Sequence, residues 1–143
     1  MLTVLVIDES RSRAGEICAG LALAGYQVAA ILAGSENLTA EVEKLQPDVI
    51  LIDTDSPSRD TLEHLAAMNK NMPRPVVIFT QEDGQATIRD AVKAGVSAYI
   101  VDGLDPKRIK PIVEVARARF EDTQALRREL DEISQKLSDR KLV

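Results

Sequence analysis

Short apolar runs alternate with stretches of helical period along most of this chain. Five runs have the length and β-branched content of strands: Thr3-Ile7, Gln27-Leu32, Val49-Ile52, Val76-Phe79 and Ala98-Val101. The third and fourth are continuously apolar, as strands covered on both faces must be. Between them, Ala14, Ile17, Cys18, Leu21 and Ala22 share one helical face, and that pattern ends at Ala24-Gly25, where glycine supplies a left-handed cap. Two shorter patterns carry Leu38, Val42 and Leu45, then Leu62, Leu65 and Ala66. A fourth carries Ile88, Ala91 and Val92 and ends at Ala94-Gly95. Strands alternating with helices predict an α/β fold with a doubly wound, five-stranded parallel sheet.

The last helical pattern does not stop where a domain would. Asp105-Pro106 is a start signal, a capping carboxylate followed by proline. Pro111 is expected either to kink the helix or to delay its regular part. From Phe120 to Leu142 there is neither glycine nor proline, and Leu126, Leu130, Ile133 and Leu137 recur at alternating spacings of four and three. That is the seam of a coiled coil, flanked by Arg127, Arg128, Glu129, Asp131, Glu132 and Lys136. The competing reading is a solvated helix whose leucines fold back on the domain. The seam favours a homodimer, with residues 1–119 as a domain and 120–143 as a helical, coiled-coil extension. The chain ends inside this pattern, at Arg140-Lys-Leu-Val143, with no stop signal, so either the helix frays here or a further segment follows in a longer chain.

The candidate chemistry lies at two acidic strand ends. Asp8-Glu9 closes the first strand, and Asp53, followed by Thr54-Asp55-Ser56-Pro57, closes the third. In a parallel sheet both open on the edge where α/β folds place their ligands. Carboxylates crowded there need a proton or a cation between them, and a hard divalent ion with oxygen ligands, Mg²⁺, suits them.

Composition narrows the field. With 143 residues there is room for one domain and an appended element, and a formal charge of -5 argues against tight nucleic-acid binding by these residues alone. The single cysteine, Cys18, has no internal disulfide partner and reads as a small core residue. His64 reads as an ordinary helix residue. No apolar run approaches the length of a bilayer span, so a cytoplasmic protein without membrane contact is expected.

The acidic pair Asp8-Glu9, Asp53 with Pro57 four positions on, Thr80 closing the fourth strand and Tyr99 in the fifth together resemble the receiver domain of two-component response regulators over about the first 120 residues. The resemblance implies a flavodoxin-like sheet of strand order 2-1-3-4-5 and a signal acceptor instead of an enzyme with turnover. It implies that Asp53 accepts a phosphoryl group from a histidine kinase. Asp8, Glu9, Asp53 and the backbone carbonyl of Asp55 would hold Mg²⁺, Thr80 would bind the phosphoryl group, and Tyr99 would swing inward as the switch aromatic. One position departs: where receivers carry Lys-Pro after the fifth strand, this chain has Asp102-Gly103, an anion in place of a cation. Glu9 is a milder departure from the usual second aspartate.

Asp53-Thr-Asp-Ser-Pro-Ser-Arg-Asp60, Arg74-Pro75 and Gly95 to Pro106, with the long terminal helix, also resemble the NasT group of antiterminators. There a receiver controls a C-terminal RNA-binding ANTAR domain, in nitrate and nitrite assimilation. RNA binding would belong to that further domain, and a sensor protein offers an alternative switch. Two other functions compete. A pseudo-receiver would use the fold for docking and dimerisation only, and a haloacid-dehalogenase-like phosphatase would use Asp53-Thr-Asp55 as nucleophile and general acid.

Overall fold

The computed structural model describes residues 1–9 and 14–141. The apolar runs become five parallel strands: β1 (Thr3–Asp8), β2 (Gln27–Leu32), β3 (Val49–Asp53), β4 (Val76–Thr80) and β5 (Ala98–Val101). They are joined by α1 (Ala14–Ala24), α2 (Leu38–Leu45), α3 (Arg59–Asn71) and α4 (Gln85–Lys93), and α5 (Ile109–Lys141) follows β5. The sheet order is β2-β1-β3-β4-β5, the flavodoxin-like order expected. Strands β1, β3 and β4 each run one residue further than their apolar runs, because Asp8, Asp53 and Thr80 still pair in the ladder despite being polar.

The core is split by the sheet into two layers. Leu5, Ile7, Ile50, Ile52 and Ile78 face Leu38, Val42, Leu65 and Met68 of α2 and α3, while Val4, Val6, Leu51, Val77 and Phe79 face Ile17, Leu21, Ile109 and Val113 of α1 and α5. Alternate residues of one strand thus serve opposite layers, which is why the central strands read as unbroken apolar runs. The helical faces are narrower than their sequence patterns suggest. Ala22, Ala66 and Val92 are exposed, and Cys18 is only half-buried, because α1, α3 and α4 each rest on the sheet along a single stripe.

Gly25 and Gly95 both take left-handed conformations, with φ of 78° and 96°, and cap α1 and α4 as their positions predict. Pro111 does not delay α5. The helix starts at Ile109, after a 3₁₀ turn at Pro106–Arg108 capped by Asp105, and Pro111 falls in its first turn, where a missing N–H loses no intrahelical bond.

Beyond Ala116, the last fully buried residue of α5 among those whose burial is described, the helix continues unbroken across residue 120. Leu126, Leu130, Ile133 and Leu137 are 60%, 63%, 55% and 53% exposed, so they do not fold back on the domain. The terminal Leu142 and Val143 lie outside the described residues.

Helix α1 packs against the 3₁₀ turn and α5 through Gly20, where an added Cβ would run into the Ile109 side chain and stand 3.0 Å from Pro106 Cα. Gly20→Ala is therefore expected to destabilise the chain by about 1–3 kcal/mol. Gly15→Ala, with nothing within 4 Å, should be neutral or stabilising. Urea unfolding midpoints of the two variants check the contrast.

Candidate functional site

The site is built at the carboxyl ends of β1, β3 and β4. Strands β1 and β3 are in register, with Asp8 opposite Asp53, and the Glu9 N–H donates to the Asp53 carbonyl at 2.9 Å, so the chain leaves β1 directly over the end of β3. Asp53 is fully buried and Asp8 nearly so. Thr80, one strand further on, is buried too, and its hydroxyl donates to the Asp55 carbonyl at 2.9 Å. The sheet thus brings Asp8, Asp53, Thr80 and the backbone of Asp55 to one edge.

Glu9 is turned another way. Its two carboxylate oxygens accept hydrogen bonds from the Thr54 hydroxyl at 3.0 Å and from the Thr61 hydroxyl at 3.1 Å. Thr61 lies in the first turn of α3, whose N-cap Ser58 accepts from the Thr61 N–H at 3.1 Å and donates its own hydroxyl to Thr61 Oγ1 at 3.0 Å. Two further side chains complete a polar line. Ser35 Oγ is 3.5 Å from Thr61 Oγ1 and 2.8 Å from His64 Nδ1.

These residues border an open groove of about 360 Å³ between α3 and the β2–α2 loop, which Glu9, Glu36 and Asp60 also line. Among the described residues, no three His, Cys, Asp or Glu side chains converge as a metal cage, and Glu9 faces α3. The donor set still fits a hard cation in kind: it is all oxygen, with two carboxylates side by side.

Tyr99 and Thr80 are linked through the β4–α4 loop. The Tyr99 hydroxyl donates to the Glu82 carbonyl at 2.8 Å, and the Glu82 N–H donates to Thr80 Oγ1 at 3.2 Å. The half-buried phenol is pushed above its ordinary pKa, first by desolvation and then by the charge of Glu82, with a hydrogen bond from Thr80 working the other way. Asp102 takes φ of 52°, a left-handed conformation that aspartate tolerates, and its N–H donates to the Thr80 carbonyl at 3.0 Å. Its side chain is exposed. Lys107 and Arg108 are exposed on the 3₁₀ turn beside α1.

Sequence reasoning placed Asp8, Asp53 and Thr80 at one edge but missed the hydroxyls that hold Glu9. Ser58 and Thr61 stand at N-cap spacing ahead of the α3 pattern, which was the available signal.

A model of the response regulator receiver domain matches residues 4–114, and the chain belongs to that family. It is 27% identical over 119 residues to the transcriptional regulatory protein PdtaR of Mycobacterium tuberculosis, covering 83% of this chain and 58% of the relative. It is 29% identical over 122 residues to the DNA-binding response regulator MtrA of Mycolicibacterium smegmatis, covering 85% and 53%. The chain therefore spans about half the length of these relatives. Among solved structures, a CheY-like receiver domain protein from Methanospirillum hungatei superposes with a TM-score of 0.72 at 19% identity, covering 86% of this chain and 98% of the other. That likeness shows the fold.

The two tyrosines give a pH prediction. Tyr26 donates to Glu114 at 2.6 Å, and burial and that carboxylate raise its pKa as well. In Tyr26→Phe the remaining phenol, Tyr99, should ionise above the ordinary value of about 10 in an absorbance titration. A raised phenol pKa leaves stability unchanged below that pH and erodes it above, so the unfolding free energy should fall as the pH rises past about 10.

Proposed function

We propose that this chain is the phosphoryl-accepting receiver of a two-component response regulator, with Asp53 as acceptor. The observation that carries this reading is the burial of Asp53 at the end of a central strand, in register with Asp8 and one strand away from the Thr80 hydroxyl. An Asp53 oxygen would attack phosphorus as the bond to the donor histidine nitrogen breaks. Asp8, Glu9, Asp53 and the Asp55 carbonyl are the residues that would hold Mg²⁺, and the ion would supply neutralisation of the transferred oxygens. Thr80 would turn its hydroxyl from the Asp55 carbonyl to the phosphoryl group. Tyr99, tied through Glu82 to Thr80, would report that movement to the β5 side as the switch aromatic.

The partner on the input side is a histidine kinase or a sensor protein. On the output side, the resemblance to NasT-type regulators supports an RNA-binding ANTAR domain in a longer chain, acting in the cytoplasm in nitrate or nitrite assimilation. The likeness to a protein named as a transcriptional regulator agrees with that output. No helix among the described residues is long and apolar enough to cross a membrane. Residues 1–119 form the receiver and 120–143 the dimerising extension in this reading, and the exposed seam of α5 supports a homodimer.

A second reading has its own observation. Asp102 places an exposed anion where a cation would contact the phosphoryl group, which favours a pseudo-receiver switched by a sensor protein without phosphorylation.

Intact mass after incubation with Mg²⁺ and acetyl phosphate decides between them. One added phosphoryl group in the wild type and none in Asp53→Asn is expected; no addition to the wild type supports the pseudo-receiver. For the seam, light scattering should give twice the 15.6 kDa chain mass. Leu130→Ser with Ile133→Ser should give the monomer mass with the receiver's unfolding midpoint unchanged, since both side chains are exposed in the single chain.

A further inference from the structure

Both carboxylate oxygens of Glu9, at the sheet edge, are occupied, each by a threonine hydroxyl. The donors differ in what else they do. The Thr54 hydroxyl is shared between Glu9 and the Ser56 carbonyl, at 3.0 and 3.2 Å, so its single proton is divided. The Thr61 hydroxyl donates to Glu9 and accepts from Ser58, an arrangement that fixes its proton toward Glu9. Thr61 is itself buried and anchored in the first turn of α3 by its N–H bond to Ser58.

We infer that Thr61 is a positioning residue for the cation site: its hydroxyl holds Glu9 toward α3, so that a divalent cation gains Glu9 only by taking it from Thr61. This rests on the reading of Asp8, Glu9 and Asp53 as cation ligands made above. A carboxylate oxygen that turns to a cation gives up the hydroxyl it was accepting, and hydrogen bonds to charged groups are among the stronger ones in proteins. The held conformer is therefore favoured in the absence of cation, and the apparent affinity falls by the fraction of chains in which Glu9 is released. The released hydroxyl has a second hydroxyl close by, which donates weakly to Thr61 Oγ1 and must re-sort its own proton when the Thr61 proton turns. Ser35 Oγ lies at the outer limit of a hydrogen bond, 3.5 Å away, and Ser35 in turn contacts His64 Nδ1. Cation arrival is thus passed along Thr61 and Ser35 to His64, on the exterior of α3 and away from the Thr80–Tyr99 path.

Calorimetric titration of the full chain with Mg²⁺ tests this, using the wild type, Thr61→Val, Glu9→Asp and the double variant. Thr61→Val keeps the shape of a buried residue and should bind Mg²⁺ about tenfold more tightly. In the Glu9→Asp background, where the shorter side chain no longer spans to Thr61, the same substitution should change affinity by less than about twofold. His64 is the only histidine of the chain, so its imidazole resonances form a single set in proton NMR. Mg²⁺ should shift them in the wild type and leave them in place in Thr61→Val. Thr54→Val, which removes the weaker donor, should tighten binding in the same direction and serves if Thr61→Val does not fold. Unchanged or weaker binding in the threonine variants, or an equal effect of Thr61→Val in both backgrounds, overturns the inference while leaving the cation site intact. A wild type that takes up no Mg²⁺, or takes it up equally as Asp53→Asn, overturns the site reading and the inference with it.

Discussion

The in-register pairing of β1 with β3 is the constraint on which the rest of this molecule turns. Parallel neighbours stand about 4.8 Å apart, so a register that sets Asp8 opposite Asp53 forces two carboxylates together at the sheet edge. The register is not free to slip. A shift of one residue would turn Leu5 and Ile7 out of the α2–α3 layer and Val4 and Val6 out of the α1–α5 layer. The hydrophobic core therefore holds the charges in a position that the charges alone would oppose. Stability is drawn from the apolar residues below the edge, and the polar residues that end the strands are left to whatever chemistry the edge carries.

Polar side chains around the edge fall into two separate lines. One runs from the Asp55 carbonyl through Thr80 to the Glu82 backbone and Tyr99, along the β4 and β5 side. The other runs from Glu9 through Thr61 to Ser35 and His64, along the α2 and α3 side. Among the described residues both start at the strand ends. In the proposed reading, a change at Asp53 would have two physical routes outward, one through the Thr80 hydroxyl and one through the Glu9 carboxylate.

Much of this was legible in the residues. Strand positions came from short apolar runs, and β2 and β5 match them to the residue, because apolar side chains in a parallel sheet leave few alternative placements. The strand ends did not, since Asp8, Asp53 and Thr80 continue the ladder through backbone bonds that a hydropathy pattern does not register. Sequence also identified the acidic residues of the edge but not the direction of Glu9. That direction depends on Thr61, 52 positions later, and on the rotamer of a side chain one methylene longer than aspartate. Exposure of Val92 and Ala22 was hidden for a similar reason: a helical face marks which residues can be buried, and the width of the contact is set by the neighbouring element.

Helix α5 has a mechanical consequence. It is rooted in the core by Ile109, Val113 and Ala116 and continues without glycine, proline or break to Lys141. At about 1.5 Å per residue the part beyond Ala116 is a stiff arm of roughly 38 Å. A tilt of about 5° at its root would carry the tip some 3 Å sideways, roughly half the rise of a helical turn. Whatever is attached to the arm feels the orientation of the core by leverage and not by tethering, with no slack in which a small displacement could be lost.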